Sequence, residues 1–140
     1  MTSSAAPARV AVVGPTASGK STVAMRAAVD LGDVELVSID SLQVYRGMDI
    51  GTAKPSTADR RRVPHHLIDL VDPGDEVTVA EFQAACRGAL DDISERSGRA
   101  LLVGGTGLYH RAVVDDLELP GEWPAIRDRL HAEAEAVGPE

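Results

Sequence analysis

Nine residues, GPTASGKST from Gly14 to Thr22, constrain this chain more than any other stretch of it. They follow RVAVVG (Arg9–Gly14), a short β-branched run that reads as a buried strand. They lead into Lys20–Leu31, where Val23, Ala24, Ala27, Ala28 and Leu31 recur at helical spacing until Gly32 stops the pattern. Strand, glycine-rich loop and helix start, in that order, form the setting in which G-x-x-x-x-G-K-[ST] cradles phosphate. Gly14, Gly19, Lys20 and Ser21 fill all four fixed positions. Glycine lets the backbone curl without side-chain clashes, so that successive N–H groups converge on one anion at the positive end of a helix. The expected phosphate site is therefore Gly14, Pro15, Thr16, Ala17, Ser18, Gly19, Lys20 and Ser21. Lys20 adds a full charge, and the Ser21 hydroxyl is the expected ligand of a Mg²⁺ ion. A glycine-rich turn that binds nothing is the alternative, and agreement at four positions and both flanks weighs against it. The motif predicts a polyphosphate site for a nucleotide such as ATP or for another diphosphate, without choosing between them.

The rest of the chain reads as alternating strands and helices. VELVSID (Val34–Asp40) is a second strand, and the aperiodic Ser41–Pro55 is an ordered loop. Thr57–Arg62 reads as a short basic helix. Thr78 and Glu81 have capping-box spacing ahead of a helix with Phe82, Ala85, Ala89 and Ile93 on one face. Gly98 ends that helix, RALLVGG (Arg99–Gly105) gives a third strand, and Pro124–Val137 is a last helix with Ile126, Leu130 and Val137 to one side. This order predicts an α/β fold, a P-loop NTPase-like parallel sheet with flanking helices. Three strands make a narrow sheet, so the expectation is an incomplete one. Residues 1–8 are expected to be a disordered leader, and 9–140 a single core domain. The composition supports one core: 44% of residues are apolar but only 3% aromatic, so it must be built from Val, Leu, Ile and Ala. No apolar run reaches the length of a membrane span. The single cysteine, Cys86, cannot form an intramolecular disulfide and fits a reducing, cytoplasmic setting.

Beyond the phosphate loop come SIDSLQVYRGMDIGTAKP, PHHLIDLVDP and LLVGGTGLY, in order and at plausible spacings. Together with GPTASGKST these resemble the tRNA dimethylallyltransferase family, also called tRNA isopentenyltransferases, from Val10 to about Arg127. The resemblance implies transfer of a dimethylallyl group from dimethylallyl diphosphate to N6 of an adenine beside the tRNA anticodon. It implies that the phosphate loop holds the departing diphosphate, with Thr16 beside it, and that Asp40 is the general base for the amine proton. Asp40 ends the second strand and is expected beside the phosphate loop, where open α/β sheets place ligands. A magnesium ligand and a loop cap are the other roles its position allows. The resemblance further implies tRNA contacts at Asp40, Ser41, Leu42, Gln43, Thr106 and Arg127. Gln43 could read an adenine edge through its amide or else pack the loop. Gly104, Gly105 and Gly107 would let backbone approach a ligand, or mark a strand-ending turn. Family members are about twice this length, so the diphosphate-binding arginine and the helical insertion of the family are expected beyond Glu140.

Charge argues for restraint about nucleic acid. The net charge is −8, with eight acids against two arginines in residues 115–140 and fourteen against twelve before them. That excludes a general basic coat, so any tRNA contact must be local or must need parts outside this sequence. Arg60, Arg61 and Arg62 read as a solvated cluster, and the adjacent His65 and His66 as structural rather than metal-binding. Three rivals fit parts of the pattern. A small kinase explains the phosphate loop but not the Asp-Ser-x-Gln run or GGTGLY. Prenyl transfer to free adenine nucleotides explains most of it, and a non-catalytic phosphate-binding remnant explains the loop alone.

Overall fold

In a computed structural model, residues 10–121 and 123–138 are described. The proposed leader, residues 1–8, lies outside them. Five helices and four strands follow one another along the described chain. β1 (Val10–Val13) leads through the phosphate loop into α1 (Lys20–Leu31), and β2 (Val34–Ile39) follows. After a long loop come α2 (Thr57–Arg62) and the two-residue β3 (His65–His66). α3 (Val79–Glu95), β4 (Arg99–Gly104), α4 (Gly107–Val114) and α5 (Pro124–Val137) complete the order.

Local chemistry sets most of these boundaries. The Thr78 hydroxyl accepts from the Glu81 amide, and the Glu81 carboxylate accepts from the Thr78 amide, which closes the capping box that starts α3. Ser56 and Asp59 build the same box on α2. Gly32 takes the left-handed conformation, φ 77°, and its N–H closes α1 on the Ala28 carbonyl.

The sheet is parallel throughout, in the order β1-β4-β2-β3. Two features differ from the sequence expectation. A fourth strand exists, because His65 and His66 pair with Leu36 and Val37; two residues are too few for periodicity to register. GGTGLY is also more than a strand-ending turn, since Gly107 opens α4.

One face of the sheet carries α3 and α4. There Val37, Ile39, Phe82, Ile93 and Leu102 are fully buried, and the Phe82 ring lies 4.3 Å from that of Tyr109. Cys86 belongs to this cluster beside Phe82. The other face carries α1, where Ala24, Ala28, Leu36 and Leu101 are buried with Met25, Val29 and Val103 packed at the margin. Strand alternation divides the residues: Val37 and Ile39 go one way, Leu36 the other. α5 buries none of its residues; Ile126, Leu130 and Val137 form an uncovered stripe. No described helix is long and apolar enough to cross a membrane.

Candidate functional site

The phosphate loop turns on Ala17 and Gly19, both left-handed at φ 64° and 85°. Gly19 is the N-cap of α1, and no side chain caps the helix. The first amides of α1 are thus left for an outside acceptor. Lys20 Nζ donates back to the Pro15 carbonyl at 2.7 Å, which holds the ammonium across its own loop. Thr16 and Ser21 line the same cavity.

That cavity has a volume of about 1030 Å³ and follows the α1 face of the sheet. Leu36, Ser38 and Val103 form its floor, α1 supplies Met25 and Val29, and the far end reaches Arg62 and His65. Asp40 and Leu42 open onto it from the tip of β2. The strand order corrects one expectation: β4 lies between β1 and β2, so Asp40 is two strands from the phosphate loop. The two still share one cavity, because Gly104 and Gly105 bring the end of β4 so close to its neighbours.

A Cβ on Gly104 would stand 2.0 Å from the Ile39 carbonyl oxygen, and one on Gly105 2.7 Å from that of Gly14. These glycines therefore serve approach of the chain to itself. Thr106 Oγ1 then accepts a long hydrogen bond, 3.4 Å, from the Ser41 amide, which ties the ends of β4 and β2 together.

Asp40 is oriented by its own loop. Its Oδ1 accepts from the amides of Leu42, at 2.8 Å, and Gln43, at 3.3 Å. Oδ2 has no hydrogen-bond partner among the described residues. The structure places the Gln43 amide differently from a base-reading group. Gln43 is buried, accepts from Ser38 Oγ at 2.8 Å, and donates to the carbonyls of Thr52 and Ala53 at 3.0 and 3.2 Å. Both its N–H bonds are committed, which is the loop-packing role.

Sequence reasoning missed Lys54. Its side chain is only 2% exposed, and its ammonium donates to the Tyr45 carbonyl, to Asp49 and to Asp69. Arg60 joins Asp69 at 2.5 Å and the Pro55 carbonyl at 3.1 Å. Burial pushes the Asp69 carboxyl up, but the two cations outweigh it and hold it below the ordinary value. The run GTAKP carried the signal: a lysine fixed between a turn and a proline is placed to brace a loop.

His65 and His66 are structural. His65 Nδ1 lies 2.7 Å from the Val63 carbonyl, and His66 Nε2 lies 2.6 Å from Glu35, which Arg96 also holds. Burial holds His65 below its usual pKa, so the ring is neutral at pH 7. Arg127 stands exposed on α5 and does not line the cavity.

A parallel α/β sheet with flanking helices, a glycine-rich loop with no side-chain cap after the first strand and a lysine folded back over that loop define an α/β protein of the phosphate-loop type of fold. Residues 43–140 match the model of the IPP transferase family. The chain belongs to that family. It is 54% identical over 129 residues to a tRNA dimethylallyltransferase of Paenarthrobacter aurescens, covering 92% of this chain and 42% of that protein. A protein of the same name from Acidothermus cellulolyticus is 52% identical over 141 residues, covering 100% of this chain and 44% of its own length. Among solved structures, the full-length tRNA isopentenylpyrophosphate transferase of Bacillus halodurans superposes with a TM-score of 0.74 at 44% identity. The match spans 91% of this chain and 42% of that one. A eukaryotic dimethylallyltransferase acting on tRNA superposes at 0.72 with 30% identity, over 79% of this chain and 27% of its own. The chain spans less than half the length of each of these relatives.

Proposed function

We propose that this chain is part of the catalytic core of a transferase that moves a dimethylallyl group from dimethylallyl diphosphate to N6 of an adenine beside the tRNA anticodon. One observation carries the reading. An uncapped phosphate cradle and a carboxylate with one oxygen pinned and the other unpartnered open into the same cavity. The curated relatives and the eukaryotic neighbour acting on tRNA support it.

In this reading the loop amides and Lys20 hold the diphosphate, with Thr16 at its side. The allylic C–O bond breaks, and its electron pair leaves on the diphosphate oxygen, where the cradle's dipoles and the ammonium stabilise the charge. The adenine N6 lone pair forms the new C–N bond. The surplus N–H proton passes to Asp40 Oδ2, while the Leu42 and Gln43 amides keep the carboxylate turned to the cavity. Ser41, Leu42 and Thr106 frame the entry of a base that has left its stack, and Gln43 holds that frame from behind.

The exposed Ser21 hydroxyl lacks a partner among the described residues and lines the cavity, so its oxygen suits a hard cation. Mg²⁺ held there would supply charge neutralisation to the diphosphate. The cellular site of action is the cytoplasm, where unmodified tRNA is available.

The test is made in the natural gene product. Asp40→Asn is introduced at the chromosomal locus, and prenylated adenosine in cellular tRNA is measured by mass spectrometry. Initial transfer should slow by about a hundredfold or more, as expected for loss of a general base. Prenylated adenosine accumulating at the parental rate would refute the role of Asp40. Its accumulation in free nucleotides instead of tRNA would favour the nucleotide-prenylating alternative.

A further inference from the structure

The cavity is larger than the chemistry above needs. Its volume of about 1030 Å³ lies at the upper end of ordinary small-molecule pockets, roughly 300 to 1,000 Å³. Phosphate loop and Asp40 occupy one end. The other end runs down the groove between α1 and α2 to Arg62, and nothing in the proposed reaction uses it.

The cations along this groove are not equivalent. Arg26 is neutralised by Asp30 at 2.8 Å, and Lys54 by Asp69 and Asp49. Arg60, from the same arginine run, is committed to Asp69 and Pro55. Arg62 has no hydrogen bond and no ion pair among the described residues. Its electrostatic neighbour is Asp59, whose carboxylate is already taken by the Ser56 hydroxyl and amide. His65 beside it is held neutral and adds no competing charge. Met25, Val29 and Leu36 line the same cavity. An unspent guanidinium in a cavity is a fork with five donors, matched to phosphate geometry.

The diphosphate of the proposed reaction cannot fill this role while it sits at Lys20. Arg62 lies just before β3, and three strand spacings separate β3 from β1, roughly 14 Å. We infer that Arg62 anchors a backbone phosphodiester of the RNA strand whose base enters the cavity. This rests on the RNA-substrate reading of the same cavity.

The test measures binding and requires no turnover, so its failure is separable from failure of the Asp40 chemistry. A fluorescent RNA hairpin with an adenine 3′ of its anticodon is titrated with the purified protein across a salt series. Inorganic pyrophosphate is titrated in parallel by calorimetry. Arg62→Gln should lower the slope of log affinity against log salt by about 0.7 to 0.9, and weaken hairpin binding about fivefold near 0.15 M salt. Arg62→Lys should retain the slope, and pyrophosphate affinity should be the same in all three proteins. Arg62 is exposed, so neither substitution disturbs a packed site. An unchanged slope in Arg62→Gln overturns the inference, as does a parent protein that binds no hairpin. Loss of pyrophosphate affinity with hairpin binding intact would instead assign Arg62 to the diphosphate and overturn it too.

Discussion

The two faces of the sheet are made from the same strands and have opposite characters. On the α3 and α4 face, Val37 and Ile39 meet Phe82, Ile93 and Leu102, and every one of them is fully buried. On the α1 face, the residues between them, Leu36 and Ser38, floor an open cavity. Period-two alternation makes this division available at no cost in sequence length. One face is closely packed, and the other carries the cavity. The residues that line the cavity are thus positioned by a buried layer they do not belong to.

The largest effect that would break this comparison comes from the closed face. Phe82→Ala removes a fully buried ring that packs on Tyr109 and should cost about 3 to 5 kcal/mol of stability, measured by urea unfolding. A loss below about 1 kcal/mol would mean that this layer is not the stabilising one.

Next comes the open face. Lys20→Ala removes an ammonium whose intramolecular partner is a carbonyl of its own loop. Pyrophosphate affinity should fall about thirtyfold to a hundredfold, the magnitude of a charge-assisted contact, with unfolding free energy changed by less than about 0.5 kcal/mol. Stability loss on the scale of Phe82→Ala would erase the distinction between the faces.

The smallest effect sharpens the border between them, where Lys54 and Arg60 brace the loop that carries Asp40. The Asp69 carboxyl is held below its ordinary value in the folded chain, so the unfolded chain binds its proton more readily. The stability contributed is present above about pH 4 and is lost as pH falls through the lower folded value. Urea midpoints followed from neutral pH down to about pH 3 should fall less steeply in Asp69→Asn than in the parent. Superimposable acid limbs would show that the brace contributes nothing.

Much of this was legible in the chain. The phosphate loop, α1 with its Gly32 stop, β2, α2, the capping box of α3, β4 and α5 all lie within a residue or so of where spacing and caps put them. These signals are local, since each rests on residues within a turn of one another. β3 and α4 were illegible for two reasons. Two histidines have no period, and a helix that starts inside GGTGLY is masked by glycines that look like a turn. Asp40 was expected beside the phosphate loop; the two line one cavity, but β4 lies between their strands. For the Gln43 amide the sequence left base reading and loop packing both open; its partners, the carbonyls of Thr52 and Ala53, lie nine and ten residues away.

By itself the sequence determined the glycine-rich loop at the start of α1 and the parallel α/β order, because each depends on contiguous residues and backbone sterics. Tertiary structure alone decided that β4 inserts between β1 and β2, that Gly104 and Gly105 close the gap, and that Arg62 stays unpaired while Arg60 does not. Those outcomes depend on which distant carbonyls and carboxylates come within hydrogen-bond reach, and that is set by packing of the whole sheet.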